Sequence, residues 1–328
     1  MSSSHTDSRS TSSNPHEHRP TVLITQNFHP ETIALLDEQY DTHNLWLLSD
    51  EEQRRLIEQV GPTCEAVASG SWATNPLIYT LPRLKLISCF GVGVDGINFD
   101  ITQERGIQVT NTPDVLNDAV ADLAMGLIVA SSRNLLAADH FVRAGQWQQG
   151  PLPFSRNLTG KTLGIAGLGA IGEEVAVRAR AFKMKVAYHN RRPKPVPYDY
   201  HESLTSLARH SDILLSVLPG GAETKQVLNA DVFRALGPDG LFINVGRGSC
   251  VDENALVAAL QQGIIAGAAL DVFANEPHVP EELLGMPNVI LVPHIGSSTT
   301  ETRRAMGQLV LDNLAAYFNE RPLLTPVR

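Results

Sequence analysis

Apolar residues along this chain gather in short runs, with stretches of helical periodicity between them. The first run, Thr21–Thr25 (TVLIT), reads as a buried strand, and a helical stretch follows at Glu31–Glu38. Further strand-like runs come at Ala66–Ser69, Leu84–Phe90 and Ile107–Thr110, separated by helical or turn segments. This alternation predicts a small parallel α/β unit. A long helix comes next, where Val120, Leu123, Ala124, Leu127 and Ile128 recur at the spacing of a single apolar face. A second α/β series opens at Leu163–Ala166, with strands continuing at Lys185–His189, Ile213–Val217, Leu241–Val245, Ala266–Leu270 and Val289–Val292. Strands so spaced, with helices between them, describe a doubly wound parallel sheet. A closing helix near Thr300–Phe318 carries Met306, Leu309, Val310, Leu314 and Phe318 at helical spacing. No repeat of solenoid period interrupts the pattern.

Length and composition narrow the class. A chain of 328 residues corresponds to about two domains. Its hydrophobic content of 43% and charged content of 19% are those of an ordinary globular protein. A net charge of −9 argues against a long nucleic-acid footprint, while leaving open a small anionic ligand that responds to local charge. Three cysteines, Cys64, Cys89 and Cys250, lack metal-ligand spacing and suit a reducing compartment rather than a disulfide framework. No apolar run approaches the ~18 residues of a membrane span. The first twenty residues are Ser- and His-rich without an apolar core, so they read as a disordered tail rather than a secretory signal. His5, His16 and His18 fall in that tail; metal binding there is the weaker reading. A cytoplasmic protein without metal, membrane or nucleic-acid partners is the expectation.

The pattern GxGxxG occurs twice, and context separates the two. Gly167-Leu168-Gly169-Ala170-Ile171-Gly172 follows a strand and opens a helix expected at Glu173–Phe182. A second strand then ends at Asn190-Arg191-Arg192, eighteen residues past Gly172. That is the dinucleotide fingerprint: glycines let backbone approach a pyrophosphate, and the helix N-terminus stabilises its charge. The other match, Gly91-Val92-Gly93-Val94-Asp95-Gly96, also follows a strand, but its next strand ends in Asn111-Thr112-Pro113, with no charged group to hold a ribose. Consecutive amides in a glycine turn can cradle a smaller anion, so Val92 and Gly93 are assigned to a substrate carboxylate; a plain tight turn is the competing reading.

Three polar residues end apolar strands in the second series, where open α/β sheets place their ligands. Arg247 follows LFINV, Glu276 lies in LDVFANEP, and His294 ends VILVPH. A histidine can deliver a proton near neutral pH, a carboxylate beside it fixes its ring, and an arginine grips a planar carboxylate. Each alone could be a solvated or capping residue; together, downstream of a dinucleotide fingerprint, they point to chemistry.

The segments LKLISCFGVGVD, VTNTPDVLNDAVAD, GLGAIG, INVGRGSCVDE, ALDVFANEP and VPHIGS resemble the D-isomer-specific 2-hydroxyacid dehydrogenase family, most nearly its glyoxylate/hydroxypyruvate reductases. The likeness runs from about Thr21 to the C-terminus. It implies two Rossmann-like doubly wound domains with an active-site cleft between them. The first and last segments, 21–112 and 303–328, would form the substrate domain, and 113–302 the dinucleotide-binding domain. By resemblance Arg247, Glu276 and His294 are the catalytic Arg, Glu and His, Val92 and Gly93 bind the carboxylate, and Asp271 helps hold the nicotinamide carboxamide. Pro219, Val245, Gly246 and Gly296, beside the ends of the same strands, join the expected cofactor contacts. Ser69, Gly70 and Trp72 close a strand of the first unit and are candidates to meet the substrate, although such a Trp is more often simply packed. The family likeness implies a homodimer.

Cofactor choice is read from the end of the second fingerprint strand. An acid there would bind ribose hydroxyls and repel a 2′-phosphate. This chain has Asn190 followed by Arg191 and Arg192, which predicts NADPH, with NADH weaker; solvated turn arginines are the alternative. A glutamine would stand at the place of Glu276 in a formate dehydrogenase, so that activity is disfavoured. Two other readings stay open: a non-catalytic dinucleotide sensor on the same scaffold, and a dehydrogenase for a larger aromatic or sugar-derived 2-oxo acid.

Overall fold

The computed structural model describes residues 19–70 and 74–327. His5, His16, His18 and nearly all of the expected tail, together with Trp72, lie outside the described residues. The described chain divides into two compact α/β units, each with its own parallel sheet.

In the first unit, strands β1 (Thr21–Ile24), β2 (Asp41–Asn44), β3 (Ala66–Gly70), β4 (Leu86–Phe90) and β5 (Gln108–Thr110) form a parallel sheet in the order β2-β1-β3-β4-β5. Helices α1 (Pro30–Gln39), α2 (Asp50–Val60) and α3 (Phe99–Arg105) connect them. β1, β3 and β4 are buried along their whole length, so each reads as an unbroken run of apolar or small residues. β2 is a polar edge strand, DTHN, with one neighbour, and its sequence carries no apolar signal. The strand order reverses between β1 and β3, and there Thr25 Oγ donates to Ser69 Oγ at 3.0 Å. The chain's last segment completes this unit: buried Asn313 donates to Leu309 O and Thr325 Oγ and accepts from the amides of Leu324 and Thr325.

The second unit carries α4 (Asn117–Ser132), α5 (Leu135–Arg143), and seven parallel strands in the order β12-β11-β10-β9-β6-β7-β8. These are β6 (Thr162–Ala166), β7 (Lys185–His189), β8 (Asp199–Tyr200), β9 (Ile213–Ser216), β10 (Leu241–Asn244), β11 (Gly267–Leu270) and β12 (Val289–Leu291). Helices α6 (Ala170–Ala181), α7 (Leu204–Arg209), α8 (Ala230–Leu236), α9 (Glu253–Gln261) and α10 (Glu281–Leu284) link the strands. α11 (Thr300–Phe318) begins in this unit and ends in the first. Because parallel crossovers are right-handed, the reversal of order between β6 and β9 sends helices to opposite faces of the sheet. This is the expected doubly wound architecture.

Two details differ from the sequence reading. α6 begins at Ala170, three residues before Glu173, so its first turn forms inside the glycine fingerprint. α4 buries Ala121 and Met125 besides Val120, Ala124, Leu127 and Ile128, while Leu123 stays partly exposed. It is a core helix, packed on α6 and on β10, β11 and β12, and its buried surface is wider than one stripe. Arg178 of α6 pins the pair, donating to Asp118 at 2.6 Å, to Asp122 at 2.7 Å and to Glu174 at 2.7 Å. Among the described residues no single helix is long and apolar enough to cross a membrane.

The loop Gly91–Gly96, which leaves β4, belongs to the second unit. Its start is fixed to Thr112 by a reciprocal pair: Gly91 N donates to Thr112 Oγ, and Thr112 N donates to Gly91 O, both at 3.0 Å.

Candidate active site

The glycine loop after β6 gives each of its glycines a separate task. Gly167 has φ +96°, and a Cβ there would come within 2.9 Å of Val217 O, so no other residue fits. Gly172 lies against the same turn: a Cβ would sit 2.6 Å from Gly167 O, which is what lets α6 pack on β6. Gly169 has no protein atom near its missing Cβ, so its bareness serves approach from outside the protein. Ala170 and Ile171 then form the first turn of α6, whose N-terminal amides and dipole favour an anion.

A groove of about 1040 Å³ runs beside this loop, lined by Gly167, Gly169, Asn190, Arg191, Arg192 and Pro219, among others. The Asn190 side chain is turned onto the loop: it accepts from Leu168 N at 2.7 Å and donates to Leu168 O at 3.2 Å. Lys194 also donates to Leu168 O, at 3.1 Å, and pairs with Glu173 of α6. Arg191 and Arg192 are exposed, and Arg191 pairs with Glu223 on the facing wall at 2.8 Å. A groove with a bare glycine, a helix N-terminus and cations at the ribose end of β7 fits a phosphorylated dinucleotide.

Three adjacent strands carry the remaining polar groups. β10 ends in fully buried Asn244, whose side chain accepts from Gly246 N and donates to Arg247 O, shaping the turn that presents Arg247. Val245 is buried, and a Cβ on Gly246 would meet Leu218 O at 2.6 Å, so the ends of β9 and β10 touch there. Arg247 Nε donates to both oxygens of Asp95, at 3.1 and 3.2 Å, and Nη1 donates to Gly246 O at 2.9 Å. Nη2 lies directly over Gly93, where an added Cβ would be 1.9 Å away. Gly93 is therefore bare so that the guanidinium can pass, and the far end of the fork lies beside the Val92–Gly93 turn. Asp95 was not expected as a site residue.

Past β11, Asp271 is almost fully buried, and its carboxylate accepts from Ile295 N at 2.6 Å and Gly296 N at 2.9 Å. Its carbonyl accepts from His294 N at 2.9 Å. These bonds hold His294 at φ +52°, a left-handed conformation that costs a non-glycine residue roughly 1–3 kcal/mol. Burial pushes the Asp271 carboxyl above its ordinary range, and the two amides and His294 counter only part of it.

His294 Nδ1 and Glu276 Oε2 are 2.7 Å apart, and Glu276 Oε1 accepts from Phe273 N at 3.0 Å. Burial raises the Glu276 carboxyl, but the hydrogen bond and charge of His294 outweigh it, with help from Phe273 N and Arg247, and hold it below the usual carboxylate range. Glu276 is thus held as a carboxylate that engages Nδ1, which leaves Nε2 for proton exchange.

Ser69 and Gly70 belong to the other unit. The Ser69 hydroxyl is spent on Thr25, and Gly70 is backed by Gln26, whose Oε1 would lie 2.1 Å from an added Cβ. All three cysteines are buried and unpaired, and burial pushes the Cys64 thiol to about 11 and the Cys89 thiol to about 12, so they are inert.

A dinucleotide groove, an arginine held by an aspartate and a glutamate-held histidine after neighbouring strands are the parts of a nicotinamide-dependent oxidoreductase. Residues 125–296 match the model of the NAD-binding domain of D-isomer-specific 2-hydroxyacid dehydrogenases, and the chain belongs to that family. It is 45% identical to glyoxylate/hydroxypyruvate reductase A of Arabidopsis thaliana, over 89% of this chain and 94% of the relative. The hydroxyphenylpyruvate reductase of Plectranthus scutellarioides is likewise 45% identical, with the same coverage. Among solved structures, the NADPH-dependent glyoxylate/hydroxypyruvate reductase of Sinorhizobium meliloti, in complex with NADP and malonate, superposes with a TM-score of 0.86. The two are 43% identical over 94% of this chain and 97% of that one.

Proposed function

We propose that this chain is an NADPH-preferring reductase of short 2-oxo acids, such as glyoxylate and hydroxypyruvate, yielding D-2-hydroxy acids. The observation that carries the reading is the placement of Arg247, Glu276 and His294 after β10, β11 and β12, three neighbours in one sheet. When bound, the reduced nicotinamide supplies a hydride to the keto carbon. Arg247, fixed by Asp95, grips the carboxylate and polarises the keto oxygen, with the Val92–Gly93 turn beside it. His294 gives a proton from Nε2 to that oxygen, and Glu276 stabilises the imidazolium before transfer. Arg191 and Arg192 take the 2′-phosphate, and Asp271 with Gly296 lies at the nicotinamide end. The names of the Arabidopsis and Sinorhizobium proteins support both substrate and cofactor.

A second reading, an aromatic 2-oxo acid, is favoured by the Plectranthus relative at equal identity. Initial rates on glyoxylate, hydroxypyruvate and hydroxyphenylpyruvate, each with NADPH and NADH, decide between them. The proposal expects the highest efficiency on a short acid with NADPH and D-glycerate from hydroxypyruvate. Highest efficiency on the aromatic acid, or an L product, contradicts it.

The assembly proposed is a homodimer built on the second unit. Leu135, Leu136 and Val142 of α5, then Trp147 and Phe154, are exposed large apolar side chains within one segment. Three unpaired thiols in reduced form suit a cytoplasmic location.

A further inference from the structure

The connection after β10 is tied to the connection after β11 at two points. A Cβ on Gly248 would fall 1.9 Å from Phe273 C, so the bare glycine lets the two backbones touch. Five residues later the Glu253 carboxylate, at the first position of α9, accepts from Ala274 N at 2.9 Å. Glu253 does not cap its own helix; Asp252 does that, accepting from Ala255 N. Its bond instead reaches twenty-one residues along the chain, into the loop between Phe273 and Glu276. Phe273 N is the amide that holds one oxygen of Glu276, and His294 holds the other.

We propose that Glu253 is a positioning residue of the catalytic centre, whose carboxylate anchors Ala274 and so sets the loop that brings Glu276 to His294. Its charge acts as well as its geometry. Burial and the Glu276 charge both push the Glu253 carboxyl up. The repulsion between the two carboxylates is relieved when the imidazole beside Glu276 is protonated, so an ionised Glu253 favours the proton-donating form of His294. Of the charged groups here, Glu276 and Asp271 act on the imidazole directly, Glu253 and Arg247 act on Glu276, and Asp95 pairs with Arg247.

The test separates anchoring from charge. Glu253→Gln keeps an oxygen for Ala274 N but removes the charge, whereas Glu253→Ala removes both. The kinetic arm rests on the reductase reading: Glu253→Ala should lower kcat about ten- to a hundred-fold with the KM for cofactor unchanged, and Glu253→Gln should restore most of it. In the reductive direction a general-acid mechanism should lose activity as pH rises. Glu253→Gln should move that fall down by roughly half a pH unit, the size of a carboxylate–imidazolium interaction across several ångströms. An NMR titration of the His294 ring in parent and Glu253→Gln reads the same shift without any substrate, so it stands even if the parent reduces none of the acids tried. Glu253→Ala as active as the parent, or superimposable titrations of His294 in parent and Glu253→Gln, would overturn the proposal.

Discussion

Asp95 holds Arg247 by Nε through both carboxylate oxygens, which leaves the far end of the guanidinium to meet a ligand beside Gly93. Asp95→Asn keeps the shape but loses the charge and one acceptor. A charged hydrogen bond is worth about 1.5–3 kcal/mol, so the KM for a 2-oxo acid should rise on the order of ten-fold, with NADPH affinity unchanged. A KM within two-fold of the parent would place Asp95 outside the site. Arg247, Glu276 and His294 drew notice in the sequence because each follows a recognisable apolar strand, and their proposed roles rest on that placement. Asp95, Lys194 and Glu253 did not, because their partners are 152, 26 and 21 residues away and only folding brings them together. The aspartate of GVGVDG was in view as part of a motif, but nothing in the spacing joined it to Arg247.

The element with the sharpest sequence signature is the β6–loop–α6 unit, where three glycines have three physical reasons. Its helix was expected to start at Glu173, since Ala170 and Ile171 carry no start signal of their own; the Gly169 cap starts it earlier. The polar edge strands β2 and β8 escaped notice because a strand with one neighbour needs no apolar run. At the end of β7, Asn190 fastens Leu168 and lines the groove, and Arg191 and Arg192 are the cations beside it that would read a phosphate. The Arg191–Glu223 pair is exposed, and such pairs contribute only about 0–1 kcal/mol, so a doubly charged phosphate can displace Glu223. Arg191→Ala should therefore weaken NADPH by roughly ten- to a hundred-fold and leave NADH nearly unchanged. The ratio of kcat/KM for the two cofactors, at one salt concentration, checks this. An equal loss for both would mean the arginine does not read the phosphate.

For the whole molecule, the parallel, doubly wound character of the sheets was visible from alternating strands and helices, and the two-unit organisation from the two α/β series. What periodicity could not show is that Gly91–Gly96 leaves a strand of the first unit yet is built into the second, through Thr112 and Arg247. The apolar segment from Leu135 to Phe154 sets the expected assembly. Sedimentation velocity should give a species of twice the chain mass, and Leu136→Asp with Trp147→Asp should give monomers; a monomeric parent contradicts the dimer. Single-turnover kinetics of His294→Ala with NADPH and hydroxypyruvate test whether His294 donates the proton. Reduction should slow by about two to four orders of magnitude, the usual contribution of a placed proton donor, while NADPH binding by fluorescence titration stays at the parent value. Reduction within a few-fold of the parent, with NADPH bound normally, would contradict it.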